Sequence, residues 1–384
     1  MKEQKLESEN LIMLEIVKVE TLKHRRDFLN FPIKLYKDNP YFVPLLFMDE
    51  RPIFKKNYFY NKVSESIFFN AYLDGKMVGR IHGIIHHLAN EKWNRKRVRF
   101  TRFDSIDNQE VANGLFDAVV SWAKEKGITE CIGPIGYSDL EREGLLIEGF
   151  NHKQTYAEQY NYDYYQKLIE NYGFSKDVDW IEHKIYYPDS VDPRLEKVSN
   201  RVKEKFHLEV VKVKTVKEYV KKYGDSFFDM IDISYDKLYG TVPFIECLRK
   251  PIISKFGLLV RAKDLRAVVD EEGNMVAFSL VFPSITDCVR KSNGHCTPRF
   301  LWNFFKQKKN PKVLDLALVG VVPKYQFLGV STMMLNTVLE YLSSGEIEYM
   351  ETNLTLETNK NIDKYLSLFK REYTKRRRCF VKKI

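Results

Sequence analysis

The chain has 384 residues, is 44% hydrophobic and 30% charged, and carries a formal net charge of +10. Those values fit a globular chain long enough for about two domains and exclude a disordered or fibrous one. The positive balance favours acidic partners, including nucleotide phosphates, without choosing among them.

In chain order, Leu14 to Val19 alternates as a strand, and Leu22 to Leu35 follows as a helix that Pro32 is expected to kink or end. Tyr36 to Phe59 holds three internal prolines among many aromatics and reads as an irregular, packed flap. Ile67–Leu73 and Met77–His86 flank Asp74-Gly75, a hairpin signal. Val98–Ile106 is a strand, Asn108–Ala123 an amphipathic helix, and Thr129–Pro134 a strand leading into the Gly-rich loop of residues 133–144. A helix over Asn161–Tyr172 and a strand over Ile181–Tyr187 complete this half.

The same order then recurs. His207–Val213 is a strand, Val216–Tyr239 and Phe244–Phe256 are helical, and Leu265–Asp270 with Met275–Phe282 form a hairpin. Residues 314–322 are a strand stopped by Pro323, residues 324–329 a turn, and Ser331–Leu342 a helix. A strand over Glu348–Leu354, a helix over Asn361–Phe369 and a last strand near Arg377–Lys383 close the chain. Two domains are expected, over residues 12–190 and 200–384.

No apolar run approaches the ~18 residues of a membrane span, and MKEQKLESEN lacks a charged-then-apolar leader pattern. Cys131, Cys247, Cys288, Cys296 and Cys379 have no metal-ligand spacing, and His295 beside Cys296 reads as structural. A cytoplasmic protein with no metal and no membrane partner is the expectation. Lys375 to Arg378 reads as a basic sheet edge that guards against aggregation, and nucleic acid is not expected as a partner.

The turn after the 314–322 strand can carry chemistry. The first amides of a helix lack intrahelical partners and sit at the positive end of the dipole, so they can receive a pyrophosphate. Gly329 lets the backbone approach closely, Ser331 adds a hydroxyl, and Lys324 is a counter-charge. Gln326-Phe327-Leu328-Gly329-Val330-Ser331 resembles the acetyl-CoA signature of the GNAT N-acetyltransferase superfamily, Gln/Arg-x-x-Gly-x-Gly/Ala, with Ser331 departing at the last position. Most of the chain resembles an uncharacterised bacterial double-GNAT group, through VGRIHGIIHH, GPIGYSDLEREGLLIEGF, NYDYYQKLIENYGF, VPFIE and RRRCFVKKI.

That resemblance implies an α/β (α+β) fold of tandem GNAT-like domains, each a mixed, mostly antiparallel sheet flanked by helices. The first half lacks the signature and is expected to shape the substrate side. The second is expected to hold acetyl-CoA or another acyl-CoA, through Val319, Val321, Lys324, Gln326, Leu328, Gly329, Val330, Ser331 and Asn361. Glu357 and Glu351 are candidate bases, Tyr365 a candidate acid, Glu143 a further catalytic candidate from the first half, and Glu143, Glu148, Tyr137 and Tyr156 candidate linings of an amine pocket. The implied reaction is acyl transfer, with acetyl expected, to a small amine by direct attack on the thioester. A Fem-type aminoacyl transferase using charged tRNA, a CoA-binding sensor and a longer acyl donor stay open. A homodimer is compatible with the resemblance.

Overall fold

The computed structural model describes residues 13–384; the N-terminal MKEQKLESEN lies outside them. The strands are β1 (Leu14–Lys18), β2 (Ser64–Leu73), β3 (Lys76–His86), β4 (Arg97–Ser105), β5 (Glu130–Gly133), β6 (Leu145–Glu148) and β7 (Ser175–Tyr186). They continue as β8 (Glu209–Val211), β9 (Leu265–Val269), β10 (Met275–Pro283), β11 (Val313–Val321), β12 (Tyr349–Thr352), β13 (Thr355–Leu356) and β14 (Lys370–Lys383).

All belong to one 14-stranded sheet, ordered β1-β2-β3-β4-β5-β14-β7-β12-β11-β10-β9-β8, with β13 on β7 and β6 on β14. Two pairs are parallel, β4 with β5 and β11 with β12. A helix crosses between the strands of each pair, Gln109–Glu125 in the first half and Val330–Ser343 in the second. Parallel neighbours need such a crossover. Each helix buries its apolar face on the sheet, Val111, Leu115, Phe116 and Val119 in one case and Leu335, Val338, Leu339 and Leu342 in the other. On the opposite side a core shared by the halves joins Phe28, Tyr60 and Tyr137 to Tyr219, Phe228 and Phe278.

The expected repeat of element order is present, with corrections. Pro32 sits inside an unbroken Leu22–Leu35 helix. The helix beginning at Val216 stops at Ser234, and residues 284–312 hold two unforeseen helices, Thr286–Lys291 and Pro298–Lys309. The largest correction concerns the C-terminus. β14 is central, pairing with β5 on one side and β7 on the other. The basic run is therefore not an edge. Lys375 and Arg377 are almost wholly buried.

Their charge is matched. Lys375 Nζ lies 2.5 Å from Glu158 Oε2 and 2.8 Å from Glu182 Oε2. Arg377 donates to Glu182 Oε1 and to the Gln159 carbonyl. The outward residues of the same strand pair too, Arg378 with Asp179 at 2.8 Å and Arg376 with Glu357 at 2.9 Å. A buried ion pair adds little by itself, but removing one member strands the other charge. Lys375→Met should therefore lower the unfolding free energy by about 3–5 kcal/mol in urea titration. A loss under about 1 kcal/mol, the range of a surface pair, would show that the cluster does not hold β14 in place.

Candidate active site between the two halves

β11 and β12 pair only as far as Leu316 and Thr352. Beyond that point β11 stays with β10, while the chain after β12 turns to β7 through β13. The register of β10 against β11 shifts between Leu280 and Val281, leaving Ala317 as the extra residue. Such a bulge bends the strand that carries it. The strands part there, and a cavity of about 140 Å³ fills the opening. Leu316 to Val319 line one wall and Thr352 to Leu356 the other, with Asn359, Ile362 and Leu366 behind.

The first half supplies the facing wall. Asp139 and Glu143, from the loop after β5, line the same cavity. Arg99 of β4 holds this loop, donating to the Gly136 carbonyl at 3.1 Å and, across the junction, to the Gly240 carbonyl at 3.0 Å. Glu143 Oε2 and Asp139 Oδ1 are buried without a hydrogen-bond partner. Burial, and secondarily the neighbouring Asp139, pushes the Glu143 carboxyl well above the usual range, which favours its protonated form. Burial also raises Asp139, but a backbone amide and Arg99 oppose it, and its pKa rises only to about 6. The surroundings thus shift two neighbouring carboxyls upward to different degrees, the pattern that divides acid from base.

A second cavity of about 140 Å³ adjoins the first and shares Asp139, Ala317, Leu318, Asn353 and Leu354 with it. Most of its lining is apolar, including Tyr219, Phe227, Phe228, Ile252, Phe256 and Leu280.

No protein-family model matches the chain. It is 25% identical over 381 residues to Protein YghO of Escherichia coli (strain K12), covering 95% of each chain. It is 23% identical over 328 residues to the Bacterial ceramide synthase of Caulobacter vibrioides, covering 82% of each. Among solved structures, a tandem GNAT protein from the clavulanic acid biosynthesis pathway matches with a TM-score of 0.51 at 11% identity, over 97% of this chain and 98% of that one. The glucosamine N-acetyltransferase region of a fungal multi-domain β-N-acetylglucosaminidase matches with a TM-score of 0.58 at 13% identity; the chain, 97% covered, spans 38% of that protein. The chain has the tandem GNAT fold.

Within that fold the residues singled out from sequence separate into groups. Val319 and Glu143 meet in the cavity, one from each half. The Val319 amide donates to the Tyr235 hydroxyl at 3.2 Å, and its carbonyl accepts from the same hydroxyl at 3.1 Å. Tyr235 Oη thus occupies both backbone groups of Val319. Val321 offers its carbonyl to Gln326 Nε2 at 3.0 Å, so this glutamine closes the turn. Val330 is buried, while Lys324, Leu328 and Ser331 are exposed, Lys324 Nζ lying 5.3 Å from the Tyr325 ring centre.

Gly329 has φ +89°, a conformation that favours glycine, and no side chain caps the helix behind it. The space a Cβ would take is bounded by Val202 at 3.0 Å and Val198 at 3.1 Å, on the Arg194–Lys205 helix. The room at Gly329 thus serves helix packing as well as any ligand. The matching helix of the first half is capped by Asn108, whose Oδ1 accepts from the Val111 amide at 3.1 Å, with Glu110 in its first turn. A carboxylate there opposes an anion.

Other candidates lie away from the cavity. Glu357 is in the outer ion-pair group, 2.6 Å from Lys176 and 2.9 Å from Arg376. Tyr365 is packed with Phe369, Leu366 and Ile185, its hydroxyl buried without a partner. Successive helical residues turn by about 100°, so Ile362 and Leu366 face the cavity while Tyr365 turns into the core. Asn361 is exposed; Asn359 lines the cavity instead. Glu351 lies 3.6 Å from Lys375, and Glu148 lies 3.3 Å from Arg376. Tyr137 stacks on Tyr60, and Tyr156 donates to Asp49 at 2.6 Å.

Sequence reasoning passed over Asp139 and Tyr235. Asp139 shares its loop with Glu141 and Glu143, and only the fold separates their surroundings. In a CoA-release assay Glu143→Gln should lower kcat by roughly 10²-fold, the scale of one acid–base contribution. Glu357→Gln and Tyr365→Phe should stay within about threefold of wild type. The reverse ranking would return the chemistry to the β12 side.

Proposed function

We propose that the chain is an acyl-CoA-dependent N-acyltransferase whose acceptor is an amine carrying an apolar chain. The observation that carries this reading is the position of Asp139, which lines both the strand-split cavity and the apolar chamber. A carboxylate at that meeting point can serve an amine whose chain fills the chamber. The tandem GNAT fold, and the name of the Caulobacter relative as a ceramide synthase, support the same reading. A small polar acceptor would leave the chamber without a role.

The residues present fit an acyl-CoA. Val319 lines the cavity, its amide and carbonyl each bonded to the Tyr235 hydroxyl, and two buried carboxyl oxygens stand unpartnered. When bound, the donor supplies an electrophilic thioester carbonyl. Asp139 accepts the proton that the attacking amine releases. Glu143, whose burial favours the protonated form, supplies a proton to the departing sulfur. Arg99 keeps both carboxyls on their loop. The apolar walls exclude water that would otherwise compete for the thioester.

The sign of the pH dependence follows from Asp139. A general base works only when ionised, so kcat/KM should rise as pH climbs through about 6 and level off above it. Asp139→Asn should lower the plateau by roughly 10²- to 10⁴-fold and remove that limb. The measurement is thiol release from a long-chain acyl-CoA with a long-chain amino alcohol as acceptor, against a panel of small polar amines. Faster turnover of the small amines, or a pH profile that Asp139→Asn leaves intact, would contradict the proposal.

A further inference from the structure

The Pro298–Lys309 helix, PRFLWNFFKQKK, lies in the connection between β10 and β11, residues 284–312. The corresponding connection of the first half, between β3 and β4, is residues 87–96. The helix is firmly seated. Thr297 caps it, accepting from the Phe300 amide at 3.1 Å, and Pro298 occupies its first turn. Phe300 and Phe304 are buried in a cluster with Val43, Leu46, Ile285 and Val289. Lys308 Nζ donates to the Leu258 carbonyl at 2.5 Å.

With Phe300 and Phe304 turned inward, the outer face is also apolar. Leu301 is 44% exposed, Trp302 64% and Phe305 55%, and Leu258 beside the helix is 52% exposed. Ordinary surface helices place polar residues there. The segment that carries this face is cationic. Residues 288–312 contain seven lysines and arginines and no aspartate or glutamate. Arg299, Lys306 and Lys309 are exposed on the helix itself, and Lys306 Nζ lies 5.2 Å from the Trp302 ring centre.

We propose that this helix docks the protein on an anionic phospholipid surface, lying in the interface plane. Leu301, Trp302 and Phe305 enter the acyl boundary, while Arg299, Lys306 and Lys309 extend to the headgroup phosphates. Trp at the headgroup level, with Lys and Arg reaching outward along apolar stems, is the chemistry of interfacial helices. The cationic run selects lipid of negative charge. This docking is peripheral: among the described residues no helix is long and apolar enough to cross a membrane.

The test is co-sedimentation of the purified full chain with phosphatidylglycerol/phosphatidylcholine vesicles, with vesicles of phosphatidylcholine alone for comparison. Binding should favour the anionic vesicles and weaken at least tenfold in 0.5 M salt. The emission difference between wild type and Trp302→Phe should shift to the blue on binding and be quenched by brominated acyl chains. A Leu301→Ser, Trp302→Ser, Phe305→Ser variant should lose at least tenfold in partitioning. Lys306→Glu with Lys309→Glu, which leaves the buried face untouched, should do the same if the triple variant fails to fold.

Absence of binding, or binding that neither variant weakens, would overturn the proposal. So would a concentration-dependent dimer that the variants dissolve, which would make this face a protein contact. Vesicle binding needs neither acyl-CoA nor amine, so its failure would leave the acyl-transfer reading standing.

Discussion

The arrangement of the whole molecule depends on two buried cations finding two buried carboxylates. Lys375 and Arg377 enter the middle of the sheet on β14 and meet Glu158 and Glu182 there. Neither cation could be left unpaired at that depth, since burying an isolated charge costs far more than a typical side chain contributes. The match therefore selects one register of the last strand against β7. That strand comes from the end of the chain, yet it joins β5 of the first half to β7. β7 in turn pairs with β12 of the second half. The relation between the halves is thus built into the hydrogen-bond ladder of one sheet and does not rely on surface contact alone.

That relation makes the candidate site. The gap beside β11 is lined by the second half, but its carboxyls among the described residues, Asp139 and Glu143, arrive on a loop of the first. Neither half could supply the site alone. The loop is set by Arg99, which bridges it to the Gly240 backbone, and by the stacking of Tyr137 on Tyr60 beneath it. Rigid support of this kind is what acid–base chemistry needs, because its effect depends on geometry held to within a fraction of an ångström. The same burial raises both carboxyls and Arg99 opposes it at both, but a backbone amide also lowers Asp139 while Glu143 bears the field of Asp139.

Much of the fold was legible in the sequence because its signals are local. Asp74-Gly75 and Gly273 marked hairpins, and the periodic faces of Val111–Val119 and Met333–Leu342 marked the two crossover helices. The strand–turn–helix around Gly329 was legible for the same reason. The place of β14 was not, because KREYTKRRR reads as a solvated run until its carboxylate partners, some two hundred residues earlier, are brought beside it. The site was legible only in part. Val319 and Glu143 were singled out and do line the cavity, whereas Tyr365 was assigned by spacing along a helix whose rotation turns it into the core. Asp139 looked like its neighbours Glu141 and Glu143, since burial by a distant segment leaves no trace in the local sequence.

The central claim is that the gap at Ala317 admits the acyl thioester, and it can be tested without knowing the amine. Ala317 is the bulged residue of β11 and lines both cavities. Calorimetric titration of a long-chain acyl-CoA into wild type and Ala317→Phe reads the occupancy of that gap directly. Micromolar binding to wild type is expected, weakened at least tenfold in a variant whose thermal unfolding stays within a few degrees. Undiminished binding to the folded variant, or no binding to wild type, would contradict it.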